Sequence, residues 1–331
     1  MSGAPRADRP ANGLLTVTVN PALDVSMVIG RLVPDAKLRA YDCRREAGGG
    51  GVNVSRVLQR LSVPSTAFVV AGGPIGTELI TRMEAEDLDV ATFTIPATTR
   101  ESVAVTETTT KHQYRLSLAG PTVDDADGLQ RWVVDAARAA RIVVLSGTVA
   151  PGLPTDFYAR IIADRAPGTT TIVDTHGPPL AAVTAGTATI VKPSQRELAE
   201  LVGWEPATAL DIERAAQEVL EQGSVRAVVA SRGPSGALLA VRGEGARWFR
   251  PPPVRPVSTV GAGDSMVAGI AASLFRGSDL EDAVRHGVAA GTATVLTPGT
   301  ALCERADVER FVDQVTVHGS HERPRSPGTS F

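Results

Sequence analysis

A glycine-rich turn with one carboxylate, Gly261-Ala262-Gly263-Asp264, directly precedes an apolar segment that we predict to be helical from Met266 through Leu274. The first N–H groups of a helix lack intrahelical partners, and with the positive end of the helix dipole they form an anion site. A carboxylate beside a bound phosphate would repel it, which indicates a chemical role for Asp264. The alternative is an ordinary N-cap.

Two further segments place polar side chains next to glycine or just past a strand. Gly48-Gly49-Gly50-Gly51-Val52-Asn53 leads into a predicted helix, so the glycines would permit close backbone approach and Asn53 could hold a hydroxyl or a phosphate. A flexible linker is the alternative. Asp24 follows the first predicted strand, where its carboxylate could accept hydrogen bonds from two sugar hydroxyls, unless it forms an Asx turn after Pro21.

Polar residues also follow two later strands. Lys192 could reach a phosphate, and Glu197 could act through water on Mg²⁺, although Ser194 and Glu197 equally have the spacing of a capping box. The loop 231–236, Ser-Arg-Gly-Pro-Ser-Gly, suits a nucleotide or a plain hairpin turn. No GxxxxGK[ST] motif occurs, and no GxGxxG follows the first strand, which argues against P-loop and dinucleotide-binding proteins.

The elements that must position these residues alternate between helix and strand. Apolar strands are predicted at 14–19, 66–70, 90–95, 142–145, 171–173, 189–191 and 227–230, and helices at 52–61, 76–86, 124–140, 155–164 and 212–221. This alternation predicts a mostly parallel sheet, at whose carboxyl edge ligands bind. The half-polar segments Asp24–Arg45 and Ser102–Leu118 do not fit that sheet, and we predict that they form a small β-structured lid.

Composition excludes several classes of function. A net charge of −3 gives no electrostatic footprint for nucleic acid, and no apolar stretch approaches the length of a membrane span. Two cysteines make neither a disulfide scaffold nor a metal-ligand set. Residues 1–13 lack the apolar core of a secretory signal, and we predict a cytoplasmic protein in which 1–13 and 318–331 are disordered tails.

Taken in this order and spacing, the motifs resemble the ribokinase/PfkB family of carbohydrate kinases, over about Leu14 to Val315. The resemblance implies a ribokinase-like α/β fold of three α/β/α layers, here one kinase domain at 14–317 with lid segments at about 24–45 and 100–120. Within the family the likeness is closest to the minor 6-phosphofructokinases of bacteria. It implies ATP-dependent phosphorylation of fructose 6-phosphate at the C1 hydroxyl, a step of glycolysis, with Mg²⁺, K⁺ and a homodimer formed through the lid.

The resemblance also implies roles for individual positions. Asp264 would be the catalytic base, with Gly261, Ala262 and Gly263 as the anion hole. The sugar phosphate would contact Asp24, Lys37, Arg39, Gly48, Gly49, Asn53, Arg100 and Thr148. ATP would contact Lys192, Ser194, Ser231, Gly233, Gly236, Val288 and Thr292. Glu197 would serve Mg²⁺, and K⁺ would be bound near Ser258, Val260, Thr294, Thr297 and Gly299. Ser194 departs from the family pattern, which has Asn there, so nucleotide or metal affinity is expected to differ.

Three alternatives stay open. Kinases of tagatose 6-phosphate or fructose 1-phosphate resemble this chain, but they usually carry Gly-Gly-Lys-Gly where this chain has Gly49-Gly50-Gly51 without lysine. Kinases of nucleosides or unphosphorylated sugars are disfavoured by Lys37, Arg39 and Arg100, although these charges could equally form a solvated face. A non-catalytic sugar-phosphate sensor is disfavoured by the intact Asp264 and anion hole.

Overall fold

The structure, a computed structural model, describes residues 13–319. The strands are β1 (Gly13–Thr18), β2 (Ala22–Ile29), β3 (Asp42–Gly48), β4 (Ser65–Ala71), β5 (Asp89–Thr94), β6 (Arg100–Glu107), β7 (Gln113–Ser117), β8 (Ala140–Ser146), β9 (Thr170–Asp174), β10 (Ile190–Val191), β11 (Ala227–Ser231), β12 (Ala237–Val241), β13 (Ala246–Arg250) and β14 (Thr316–Gly319). The helices are α1 (Gly50–Arg60), α2 (Gly73–Ala85), α3 (Ala126–Ala137), α4 (Phe157–Ala163), α5 (Pro178–Thr184), α6 (Gln195–Val202), α7 (Ala209–Gln222), α8 (Ala262–Phe275), α9 (Leu280–Thr294) and α10 (Arg305–Val312).

The large sheet has the order β14-β13-β12-β11-β10-β9-β8-β1-β4-β5 within the described residues. From β5 to β11 neighbouring strands are parallel, and β12, β13 and β14 extend the sheet in antiparallel fashion. Runs such as Ile142–Leu145 are buried on both faces, because helices cover both sides of a parallel sheet. The predicted, mostly parallel sheet is therefore confirmed.

Helices on the two faces of this sheet complete the three predicted layers. The core on one face joins β-strand side chains to α3 through α7, and the core on the other joins them to α1, α8, α9 and α10. The predicted apolar face of the first helix is confirmed, since Val54, Val57, Leu58 and Leu61 are all buried. In the part of the chain that the structure describes, no helix combines the length and apolar character that a transmembrane helix requires.

The second sheet is the lid, in the order β3-β2-β6-β7. The predicted hairpin is confirmed, because β6 and β7 pair antiparallel, but β2 pairs parallel with β6 over Ala22–Ile29. That pairing joins segments more than seventy residues apart, and local alternation of side chains gives no signal for it. The lid thus extends over 22–48 and 100–117; the first segment is a few residues longer at each end than the predicted 24–45, and the second lies within the predicted 100–120.

Three predicted boundaries were wrong. Helix α8 begins at Ala262 rather than Met266, because Gly261 adopts the left-handed φ of 75° and the small residues after it continue into the helix. Helix α3 ends before β8 begins at Ala140, which prediction had placed in the helix. Gly13 and residues 318–319 belong to strands and not to tails; the rest of both predicted tails lies outside the described residues.

Candidate active site

The side chains singled out by the sequence gather at the carboxyl edge of the large sheet, where α1 and α8 begin. Asp264 occupies the third position of α8, and its side chain makes no capping bond, so the ordinary N-cap alternative is excluded. Instead, Nδ2 of Asn53 donates to Oδ2 of Asp264 at 2.8 Å. Two motifs far apart in the chain therefore meet in one place.

Asp264 is a weak acid with an unusually high pKa. Burial, and after it the charge of Asp174, raises the pKa of its carboxyl to about 7, although the Asn53 hydrogen bond and the charge of Lys192 oppose the shift. The charge of Asp24 adds a smaller rise to the pKa of Asp264. A carboxylate with this pKa can accept a proton near neutral pH, which is where a general base is most effective.

Asp174, the last residue of β9, is a site residue that the sequence prediction missed. Its Oδ1 lies 3.1 Å from Nζ of Lys192, and the Lys192 side chain is only 5% exposed. Burial raises the pKa of Asp174, and the adjacent Lys192 charge offsets part of that rise. Its position directly after the predicted strand 171–173 was the available signal, and it is the same signal that identified Asp24.

Lys192 carries its charge toward the glycine turn. Burial alone would lower the pKa of Lys192, but the charge and hydrogen bond of Asp174, together with the charges of Glu197 and Asp264, outweigh that effect and keep the pKa above its usual value. A Cβ built on Gly263 would lie 3.7 Å from Lys192 Nζ, so the ammonium group sits beside the first turn of α8. Ser265 donates its N–H to Gly261 O at 2.8 Å, and the N–H groups of Gly263 and Asp264 precede that first helical bond. Cation and helix terminus together form an anion site.

The glycine run at 48–51 joins two regular elements, because Gly48 ends β3, Gly49 is the N-cap of α1, and Gly50 and Gly51 lie in its first turn, so the flexible-linker alternative is wrong. Gly49 is the N-cap, with a φ of 116°. A Cβ on Gly51 would lie 2.5 Å from Thr18 Oγ1, and one on Gly50 would lie 2.3 Å from Ser146 Oγ. These glycines let α1 begin directly against the ends of β1 and β8, which brings Asn53 within reach of Asp264.

Asp24 projects from β2 against Gly48, where a Cβ would lie 2.2 Å from its Oδ2. Burial raises the pKa of Asp24, and a hydrogen bond with Ser102 opposes the shift. Close by, the buried Asn20 donates to Thr148 Oγ1 at 2.9 Å. Oδ1 of Asn20 is buried without a protein partner, as are Thr18 Oγ1 and Ser146 Oγ. Unpaired polar atoms of this kind are suited to a hydroxyl-rich ligand.

The guanidinium group of Arg100 is already hydrogen-bonded within the protein, which the sequence does not indicate. Its Nη1 donates to Ser117 Oγ at 2.7 Å and to the carbonyl of Leu118 at 2.9 Å, and its Nη2 donates to the carbonyl of Asn20 at 3.1 Å. Its Nε is buried without a partner. Lys37 and Arg39 lie on the exposed loop between β2 and β3.

The capping box of α6 is present. Oε2 of Glu197 accepts the N–H of Ser194 at 2.7 Å, and Ser194 Oγ accepts the N–H of Glu197 at 3.3 Å. The cap leaves Oε1 of Glu197 for a water or an ion. Ser231 lies beside this turn, donating its N–H to Pro193 O at 2.9 Å. Residues Gly233–Ser235 form a 3₁₀ turn in the antiparallel β11–β12 connection, so the hairpin alternative for this loop is correct in geometry.

Two nucleotide-site candidates are placed differently from the rest. Val288 and Thr292 are buried in α9, and the Thr292 hydroxyl donates to the carbonyl of Val288 at 2.7 Å. Neither offers a free polar group to a nucleotide. Gly236 has a φ of 90°, and a Cβ there would meet the carbonyl of Phe249, so its glycine is required by strand packing.

The predicted cation positions converge in one loop pair. Ser258 donates through Oγ to the carbonyl of Gly299 at 2.9 Å, and Oγ of Ser258 accepts from the N–H of Val260 at 3.2 Å. Thr297 donates to the carbonyl of Thr294 at 2.8 Å through its hydroxyl. The Thr294 side chain points away, into the core, where it donates to Ser265 Oγ at 2.7 Å. We name residues 258–260 and 294–300 the cation loops.

Comparison with known proteins identifies carbohydrate kinases as relatives of this chain. The family model described as "pfkB family carbohydrate kinase" matches residues 22–307. An ATP-dependent 6-phosphofructokinase isozyme 2 of Mycobacterium tuberculosis is 42% identical over 306 residues, covering 91% of this chain and 89% of that protein. A 1-phosphofructokinase of Bacillus subtilis is 31% identical, covering 91% of this chain and 97% of that one.

A solved structure of a phosphofructokinase is also similar to this chain. The phosphofructokinase-2 of Escherichia coli, described as a complex with potassium, superposes with a TM-score of 0.86 at 36% identity, covering 91% of this chain and 98% of the other.

Proposed function

This chain belongs to the pfkB family of carbohydrate kinases, and from that membership we propose that it transfers the γ-phosphoryl group of ATP to the C1 hydroxyl of fructose 6-phosphate. The observation that carries the proposal is the Asn53–Asp264 contact beside the buried Lys192, which sets a near-neutral base next to an anion site. Similarity to the 6-phosphofructokinase of M. tuberculosis, higher than that to the 1-phosphofructokinase of B. subtilis, supports the choice of sugar phosphate.

In this proposal the sugar is fixed first. Asp24 and Asn53 hold its hydroxyls, and the unpaired Asn20 and Thr18 oxygens lie close to that position. Gly48, Gly49 and Thr148 line the same part of the cleft, and Arg100 with Lys37 or Arg39 supplies positive charge for the 6-phosphate. Orientation of two reactants is a major source of rate enhancement in phosphoryl transfer.

Asp264 then accepts the proton of the C1 hydroxyl as the oxygen attacks the γ-phosphorus. The N–H groups at Gly261, Ala262 and Gly263 and the ammonium of Lys192 stabilise negative charge on the transferring group. Ser194, Ser231, Gly233 and Gly236 border the nucleotide, and Val288 and Thr292 contribute packing beneath it. Closure of the lid excludes water, which would otherwise hydrolyse ATP.

A divalent cation fits this arrangement only through water. The described residues hold no cluster of three or more His, Cys, Asp or Glu side chains that could bind a metal, and one oxygen of Glu197 is already used by the capping box. Mg²⁺ commonly keeps several waters and takes its remaining ligands from nucleotide phosphates. Glu197 would hold a water of such an ion, whose charge offsets that of the phosphates.

A monovalent cation fits the cation loops. Backbone carbonyls of Ser258, Val260, Thr294, Thr297 and Gly299 would hold K⁺, and the loop 258–260 directly precedes the anion hole at Gly261. The E. coli relative is described with potassium, which supports this assignment. The ion would fix the position of the first turn of α8.

We further propose a homodimer formed through the lid. Most of the exposed large apolar side chains of the described chain belong to the lid or directly follow it, namely Leu32, Val33, Leu38, Tyr41, Tyr114, Leu116 and Leu118. Exposed apolar side chains gathered in one small sheet are typical of an interaction site, and the lid of a second copy would cover them.

A coupled assay with ATP and four acceptors tests the substrate proposal. We expect the highest kcat/KM with fructose 6-phosphate, lower values with tagatose 6-phosphate and fructose 1-phosphate, and the lowest with fructose. Comparable values for fructose and fructose 6-phosphate, or a higher value for fructose 1-phosphate, would contradict the proposal.

A further inference from the structure

Glu46 is a lid residue whose carboxylate contacts two separate parts of the kinase core. It lies on β3 opposite Asp24 of β2. Its Oε1 lies 3.5 Å from Nη2 of Arg56, and its Oε2 accepts the hydroxyl of Thr300. The mechanism above uses none of these contacts.

The first contact is to a rigid anchor. Arg56 is 4% exposed, donates to Oε2 of Glu86 at 2.8 Å and also donates to the carbonyl of Ala47 at 3.3 Å. It lies on α1 three residues after Asn53, so it belongs to the same helical turn as the donor to Asp264. Arg56 therefore fixes Glu46 relative to that turn.

The second contact is to the cation loops. Thr300 follows Gly299, whose carbonyl accepts the hydroxyl of Ser258. The oxygen of that hydroxyl accepts the N–H of Val260, and Val260 directly precedes the N-cap of α8. A short path of bonds thus leads from the lid strand to the first turn of the catalytic helix.

The lid lies close to the core at this point. The cavity bordered by Asp24, Ser102, Val260 and Thr300 has a volume of about 20 Å³. That is about the space for one water molecule. A movement of β3 that separated Glu46 from Thr300 would break their hydrogen bond, which is a bond to a charged group and hence stronger than a neutral one.

From these contacts we infer that Glu46 is a positioning residue, and that its bond from Thr300 holds the lid closed on the cation loops so that K⁺ and the sugar phosphate strengthen each other's binding. The inference rests on the proposed function. Order imposed on the loops by K⁺ stabilises the closed lid, and the closed lid retains the sugar. Such coupling must be reciprocal.

Three variants test this inference. Thr300→Val removes the hydroxyl at nearly constant shape, and Thr300→Ser keeps it. Thr109→Val is the matched control, because Thr109 donates a threonine hydroxyl bond at 2.7 Å to Gly30 O within the lid, without crossing to the core. Calorimetry without ATP measures the Kd of fructose 6-phosphate in K⁺ and in tetramethylammonium, and kcat and the thermal midpoint are measured on the same preparations.

Wild type, Thr300→Ser and Thr109→Val are expected to bind the sugar more tightly in K⁺. Thr300→Val should bind about five- to tenfold more weakly in K⁺ and lose most of the K⁺ effect. A Thr300→Val variant with the wild-type Kd and K⁺ effect would overturn the inference, as would a wild type whose Kd is the same in both salts. Turnover of fructose 6-phosphate by wild type is a separate result, and its absence would instead overturn the proposed function together with this inference.

Discussion

The amide of Asn53 donates to the carboxylate of Asp264 at 2.8 Å across 211 positions of the chain, and it joins the first turn of α1 to the first turn of α8. This bond favours the charged form of Asp264 and lowers its pKa, whereas the nearby charge of Asp174 raises it. The two neighbours therefore act on the base in opposite directions, and each can be removed separately.

Replacing Asn53 by Ala should move the acidic limb of the kcat/KM profile to higher pH. The ionised form of Asp264 is the active base, so activity falls as pH drops through its pKa, which is about 7 in the folded protein. Loss of the donor raises that pKa. Asn53 is also a candidate sugar ligand, so its loss can lower kcat/KM at every pH, and the measurement is therefore the pH at which the acidic limb lies. A limb at or below the wild-type pH would contradict the assignment of Asp264 as the base.

Replacing Asp174 by Asn should move the same limb to lower pH, because a charge that repels the Asp264 carboxylate is removed. Lys192, which is almost fully buried, would also lose its ion-pair partner, and we expect a lower thermal midpoint of unfolding. Breaking a buried pair by removing one partner typically costs about 3–5 kcal/mol. A pH-rate profile measured beside that of the Asn53 variant checks the opposite signs, and shifts in the same direction would refute this electrostatic account.

Gly51→Ala should destabilise the fold, because its Cβ would lie 2.5 Å from Thr18 Oγ1 and 3.0 Å from Val17 O. Overpacking of this kind costs about 1–3 kcal/mol. Gly186→Ala is the control, since the nearest atom to its Cβ is Val183 O at 3.4 Å. Denaturant unfolding of both variants measures the difference. Equal stabilities would show that the glycine run is not needed for the packing of α1.

The local part of this site was predictable from sequence, and the long-range part was not. Asp24, Asn53 and Asp264 each follow a strand or open a helix, and that pattern is visible in the sequence alone. Asp174 also follows a predicted strand, but no motif surrounds it to mark it as a site residue. The start of α8 was placed too late, because hydrophobic periodicity does not show a first turn made of Ala262 and Gly263.

Other features had no sequence signal. The parallel pairing of β2 with β6 and the contacts of Glu46 depend on how distant segments meet in space. Burial of Val288 and Thr292 depends on the crossing of α8 and α9, which a family resemblance carried over one residue at a time does not describe.

Leu116→Glu should convert the proposed dimer into monomers. Leu116 on β7 is 61% exposed, and a charge in an apolar interface is costly to bury. Leu210→Glu is the control, because Leu210 is 73% exposed but lies on α7, away from the lid. Light scattering under assay conditions should show monomers for the first variant only, with a raised KM for the sugar phosphate. A wild type that is monomeric and fully active would contradict the dimer.

The raised pKa of Asp264 also predicts how the stability of the fold depends on pH. Its folded pKa is raised from 3.8 to about 7, so its stabilising contribution is complete below the unfolded value and is lost as pH rises through the folded one. At higher pH the wild type carries a buried charge that Asp264→Asn lacks. The difference in thermal midpoint, variant minus wild type, should therefore be larger at about pH 8 than at about pH 5.

The most direct test of the account measures kcat of Asp264→Asn with ATP and fructose 6-phosphate, with ATP affinity and thermal midpoint taken on the same preparation. Asparagine keeps the shape of the side chain but cannot accept the proton, so we predict a folded, ATP-binding protein whose kcat is lower by about 10²–10⁴-fold. A folded variant with a kcat close to that of wild type would contradict the assignment of Asp264 as the base.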